Sequence, residues 1–211
     1  MAEYSFALPG AERAVLVRRV KLISWLSLAW MTAEGAIGLA AGIAANSVAL
    51  VGYGLDSGIE ATAGAVIIWR FTGARLDSET AETRARKIVA ASFFFLAPYI
   101  VLAAIQRLAT GSEARASWIG IGLACASGLL MPLFGRAKKR LAAGLDSAAT
   151  AGESAQNTLC GYLSLAILLG LGANALAGLW WADPAVALFV AAVALQAGLK
   201  TWQGEACSDN C

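Results

Sequence analysis

Apolar residues in this chain fall in long unbroken runs, not in the one-sided stripes of a soluble helix or the alternation of a half-buried strand. Runs covering about residues 22–44, 47–71, 88–108, 117–134, 146–171 and 184–202 are each long enough to cross about 30 Å of hydrocarbon as a helix. Polar residues gather between the runs, with one exception. The first, second and fifth runs carry carboxylates inside them. The pattern predicts an all-α integral membrane protein of six transmembrane helices.

Composition agrees. The chain has 211 residues, 59% hydrophobic and 14% charged, with mean hydropathy +0.66. A soluble domain carries about 25% charge. The first run follows Arg18, Arg19 and Lys21, but it is too long for a signal sequence and reads as a retained anchor. There is no histidine, so imidazole is excluded from any metal or catalytic role. Cys125 and Cys160 lie in apolar runs, and Cys207 and Cys211 near the end, which is no disulfide framework. The last two are either a soft-metal relay or an unstructured reduced tail.

Charge sets the expected orientation. Arg13, Arg18, Arg19 and Lys21 precede the first helix. Arg70, Arg75, Arg84, Arg86 and Lys87 lie between the second and third. Arg136, Lys138, Lys139 and Arg140 lie between the fourth and fifth, and Lys200 is near the end. The opposite connections hold only Arg107 and Arg115. By the positive-inside rule, both termini are cytoplasmic. The expected organisation is a cytoplasmic segment over 1–21, a transport domain over 22–203 and a short cytoplasmic tail over 204–211, with no appended soluble domain. Pro98 and Pro132 are expected to kink the third and fourth helices. Gly38 with Gly42, and Gly120 with Ala124 and Gly128, have the small-residue spacing of close helix packing.

Glu34, Asp56, Glu60 and Glu153 fall within the spans, and Asp146 at the inner edge of the fifth. A charge near the bilayer centre costs about 2.5–3.5 kcal/mol even on the lenient insertion scale. The charge pattern places no Lys or Arg at their depth. These acids must therefore be protonated, solvated, or neutralised by a cation. Asp56 and Glu60 are four residues apart and share a helix face about 14 Å into the second span. Glu153 and Asn157 make a second such pair, entering from the cytoplasmic side. Facing each other, the pairs give three carboxylates and an amide around one point, a donor set for a divalent cation. Tyr53, Ser57, Ser154, Gln156 and Thr158 add polar groups nearby. Glu34 is open to three roles: supporting the site, carrying protons, or joining helices.

The stretches NSVALVGYGLDSGIE, GESAQNTLCGYLS and WADPAVALFVA together resemble the cation diffusion facilitator (cation efflux) family. They are similar to that family's helices 2, 5 and 6, and the resemblance covers about residues 20–204. It is narrower still to bacterial members without the cytoplasmic metal-binding domain. The resemblance implies a homodimeric transporter of the bacterial inner membrane that exchanges cytoplasmic divalent metal, most often zinc, for protons by alternating access. It implies Asp56, Glu60, Glu153 and Asn157 as metal residues. Two departures stand out: no histidine is present, and Asn157 stands where the family has Asp. The all-oxygen set brings manganese, iron(II) and cobalt into consideration beside zinc. Without the soluble domain, a dimer has to pack through membrane helices, and Phe93, Phe94 and Phe95 are a candidate surface.

Three other classes compete, a purely structural role among them. A metal-dependent membrane enzyme lacks support, because no nucleophile–base constellation is present. No catalytic residue, cofactor or nucleic-acid partner is expected. A passive cation channel also uses acids in its pore, but tight paired sites slow conduction.

Overall fold

In a computed structural model, described over residues 10–44, 48–111, 118–177 and 181–204, the chain is helical almost throughout. The α-helices are α1 (Gly10–Ala44), α2 (Val48–Arg70), α3 (Glu79–Thr110), α4 (Trp118–Leu145), α5 (Ala148–Ala177) and α6 (Ala182–Gln203). Each matches one apolar run. Among the described residues, Ala11–Ala41, Glu79–Thr110 and Trp118–Leu145 meet the length and hydropathy of a membrane span. Cys207 and Cys211, with residues 1–9 and the connection holding Arg115, lie outside the described residues.

The helices outrun the hydropathy at one end. α1 begins at Gly10 instead of residue 22, α3 at Glu79 instead of 88, and α4 continues to Leu145 instead of 134. The reason is local. Hydrocarbon thickness limits the apolar run, whereas helix length is limited by caps. Ser78 caps α3, its Oγ accepting the Ala81 N–H at 3.1 Å, with Glu79 and Glu82 in the first turn. Gly111 (φ 60°) and Gly204 (φ 84°) close α3 and α6 in the left-handed region. Asp146, at φ 48°, makes the turn into α5. It is exposed there, before the helix and not inside it.

The packing is inverted relative to a soluble bundle. Leu22, Trp25, Leu26, Leu102, Leu129 and Phe189 face outward, while Ser24, Ser27, Glu34, Asp56, Glu60 and Glu153 are buried. That distribution suits a lipid surround, where an outward Leu costs nothing and an outward acid is excluded. α5 is central and touches α2, α3, α4 and α6; α1 packs on α2 and α4, and α3 on α6. α4 and α5 approach so closely that a Cβ on Gly135 would clash with Thr158 Oγ1. Pro98 and Pro132 lie inside α3 and α4. Phe93 is buried against Gly198 of α6 and Phe94 stacks near Trp202, which leaves only Phe95 of that cluster exposed.

The basic end is tied by polar contacts. Glu82 of α3 accepts Arg70 Nε at 2.7 Å, Ser147 Oγ at 3.0 Å and the Ala149 N–H at 2.9 Å. One carboxylate thus caps α5 and neutralises a buried arginine. Arg13 donates to Asp77 and to the Leu76 carbonyl, and Arg86 to the Trp202 carbonyl at 2.7 Å.

Candidate cation site

α2 presents Asp56 and Glu60 one turn apart, and both are buried. Asp56 Oδ1 and Glu60 Oε2 have no hydrogen-bond partner. Carboxylate oxygens left bare in the interior are costly, by about 1–3 kcal/mol each. Glu60 lies beside the Cys160 thiol of α5.

Glu34 of α1 stands behind this pair. Its Oε1 accepts Tyr53 OH at 2.6 Å and Ser127 Oγ, while Trp30 Nε1 donates to Ser127 Oγ at 3.0 Å. These contacts join α1, α2 and α4, so Glu34 does act between helices. Its Oε2 is also without a partner. Tyr53 OH lies 3.5 Å from Ser164 Oγ on α5, and Ser57 Oγ donates to the Tyr53 carbonyl at 3.2 Å.

α5 brings Glu153 against α2. A Cβ on Gly64 would lie 3.2 Å from Glu153 Oε1, and Gly64 is one turn past Glu60. The two helices therefore do face each other as their spacing suggests. What fills the α5 half was not expected. Lys138 Nζ donates to Glu153 Oε1 at 2.6 Å, to Ser27 Oγ at 2.6 Å and to Asn157 Oδ1 at 3.3 Å. Its side chain is 0% exposed. Ser24 Oγ donates to Glu153 Oε2 at 3.2 Å, and Asn157 Nδ2 to Met131 Sδ at 3.4 Å.

Two expectations are corrected here. Lys138 is not in a connection between the fourth and fifth helices; it is inside α4. And a cation does lie at the depth of the acids. The signal was present in the sequence. Gly128, Met131, Gly135, Lys138 and Ala142 follow one i, i+3, i+4 stripe of buried positions, whereas Arg136, Lys139 and Arg140 fall off it and are exposed. Counting charges by loop hides that register.

The remaining polar residues divide. Ser154 Oγ donates to the Gly135 carbonyl at 2.8 Å and so ties α5 to α4. Gln156 turns toward α3, its Oε1 3.4 Å from Ser92 Oγ, with Nε2 unpartnered. Asp146 precedes α5, about 10 Å of helix rise from Glu153. Among the described residues, no three His, Cys, Asp or Glu side chains close around one point. In this structure the carboxylates are split: a bare pair on α2, and an α5 pair holding an ammonium.

A cleft of ≈ 80 Å³ leads to Asp56 between α2, α3, α5 and α6, lined also by Tyr53, Tyr99, Ile100, Arg107 and Leu163. That is room for several waters. Arg107 is near the far end of α3 from the Glu82 cluster, so the cleft approaches Asp56 from the side opposite the basic end. A buried acid on a cleft with room for water, as Asp56 is, is suited to exchange a small cation.

Comparison with known proteins agrees with this geometry. No curated protein matches the chain. The family described as the cation efflux transmembrane domain matches residues 24–202, which takes in all the candidate residues and at least part of every helix. Motif, helical architecture and buried acids therefore converge, and the chain belongs to the cation efflux family of transmembrane cation transporters.

Proposed function

We propose that the chain is a six-span secondary transporter that moves divalent metal out of the cytoplasm in exchange for protons, by alternating access. Zinc is the first candidate cargo; manganese, iron(II) and cobalt suit the same all-oxygen donors. One observation carries the reading. Asp56 Oδ1 and Glu60 Oε2 are bare, buried and one turn apart, and Asp56 lines a cleft. Such oxygens destabilise the fold and are what a cation needs.

Asp56 and Glu60 hold the cargo, Glu153 and Asn157 complete the set from α5, and Glu34, Tyr53 and Ser57 stand behind. Metal binds the ionised carboxylates from the cytoplasm. Protons on the far side compete for the same oxygens, because only deprotonated carboxylates coordinate well. Neutral acids then return without the cost of moving bare charge through low dielectric.

Residues 22–203 form the transport domain, with both termini cytoplasmic. The ties Arg13–Asp77, Glu82–Ser147 and Arg86–Trp202 support this, since they gather the starts of α1, α3 and α5 and the ends of α2, α4 and α6 at the basic end. The protein works as a homodimer in the bacterial inner membrane, packed through its membrane helices.

The test is reconstitution of wild-type protein in liposomes held at zero potential. A zinc or manganese gradient is expected to drive protons in the opposite direction. Metal flux without proton movement would contradict exchange, and no metal flux would contradict transport.

A further inference from the structure

Three oxygens from three residues on two helices converge on the Lys138 ammonium: Ser27 of α1, and Glu153 and Asn157 of α5. That is the geometry of a coordinated cation. The ammonium sits on the same two α5 side chains that, in the function proposed above, complete the cargo's donor set. Resting on that reading, we propose that Lys138 is a tethered counter-cation that occupies the α5 half of the site whenever cargo is absent, and that cargo and ammonium exclude each other at Glu153 and Asn157.

Several observations bear on it. Glu153 Oε1, the oxygen that lies against Gly64 of α2, is held at 2.6 Å by Nζ, so a metal that bridges α2 and α5 through it displaces the ammonium. Asn157 Oδ1, the only oxygen of that amide, is held as well, at 3.3 Å. The α2 acids have no such occupant, and their free oxygens are Asp56 Oδ1 and Glu60 Oε2. One half of the site is thus satisfied by the protein and the other is left for the cargo. The lysine stem has four methylenes and no branch, so the ammonium can leave Glu153 while keeping Ser27, with α4 fixed. No proton needs to move in this exchange; one positive group replaces another.

The consequence is a lowered affinity with a purpose. A divalent ion binds first to the bare α2 pair and gains Glu153 only by displacing Nζ. Release is eased by the reverse step, as the ammonium returns. A transporter needs a site tight enough to load and weak enough to empty, and a built-in competitor supplies the second property.

The test is calorimetric titration of detergent-solubilised full-length protein with zinc chloride and with manganese chloride. Lys138→Met is expected to bind metal more tightly than wild type by about tenfold, the scale of an ordinary coupling between two sites. Lys138→Arg keeps a tethered cation and is expected to stay close to wild type. A lysine with only a structural role predicts weaker binding, or none, in Lys138→Met; weaker or unchanged binding there overturns the proposal. Should Lys138→Met fail to fold, Lys138→Met/Glu153→Gln removes both buried charges. Its affinity is expected within about tenfold of wild type, because loss of the Glu153 ligand is offset in part by loss of the competing ammonium. A larger loss overturns the proposal. Asp56→Ala separates the two levels. Unchanged binding in Asp56→Ala, or none in wild type, sinks the transporter reading and this inference with it. Binding lost in Asp56→Ala but not tightened in Lys138→Met sinks this inference alone.

Discussion

Asp56→Ala is expected to abolish metal transport while melting no lower than wild type. The two effects have the same cause. Asp56 is buried and its Oδ1 makes no hydrogen bond in the protein, so that oxygen adds nothing to the fold that alanine lacks. Removing an unsatisfied buried carboxylate is neutral or stabilising, by about 1 kcal/mol. Transport is another matter. Losing a direct ligand weakens metal binding by at least about a hundredfold, since even residues that only support ligands are worth 10–100-fold. The check is a pair of measurements on one preparation: thermal melting in detergent, and metal-driven flux in liposomes. A folded variant with wild-type flux would remove Asp56 from the site. A variant that melts far lower would mean that Asp56 has a structural partner.

Glu153→Ala is expected to behave in the opposite way, and to be the most destabilising single change in the site. Glu153 and Lys138 are a fully enclosed ion pair at 2.6 Å. Deleting one partner strands the other's charge, which costs about 3–5 kcal/mol. The lost contact from Ser24 Oγ to Glu153 Oε2 adds to it. Lys138→Met placed on top of Glu153→Ala removes the stranded ammonium, so the double variant is expected to recover most of that loss. Thermal melts of wild type, both single variants and the double variant form the cycle that measures it. A double variant as unstable as the sum of the singles would mean that the pair is not coupled.

These contrasting outcomes mark how much of the molecule was legible from its residues. The six helices follow from the apolar runs, because hydrocarbon thickness imposes a length that few other constraints imitate. The motifs around Asp56 and Glu153 indicate the family correctly. Asp56 and Glu60 are buried on one face, as an i, i+4 pair must be. Glu153 does face α2, as the Gly64 contact shows. The ends of the helices were not legible from hydropathy, because α1, α3 and α4 continue past the apolar runs on turns whose charged sides leave the bundle. Ser78 starts α3 through its hydrogen bond to the Ala81 N–H, which hydropathy does not register.

The larger miss is Lys138. Topology rules count cations by segment, and four basic residues close together read as a loop. Helical register treats the same four residues differently, because only Lys138 continues the buried stripe through Met131 and Gly135. Its long stem then carries the ammonium to Glu153, a contact between residues on two helices joined by a tight turn at Asp146 and Ser147. The cleft to Asp56 was beyond reach for another reason. It is formed by α2, α3, α5 and α6 together, and no single segment encodes it.

The central claim is that the bare acids of α2 bind the transported cation. It is tested most directly by titrating the solubilised protein with zinc and manganese, comparing wild type with Glu60→Ala. Wild type is expected to take up metal, and Glu60→Ala to bind it at least about a hundredfold more weakly while remaining folded. Equal binding by the two proteins would contradict the account.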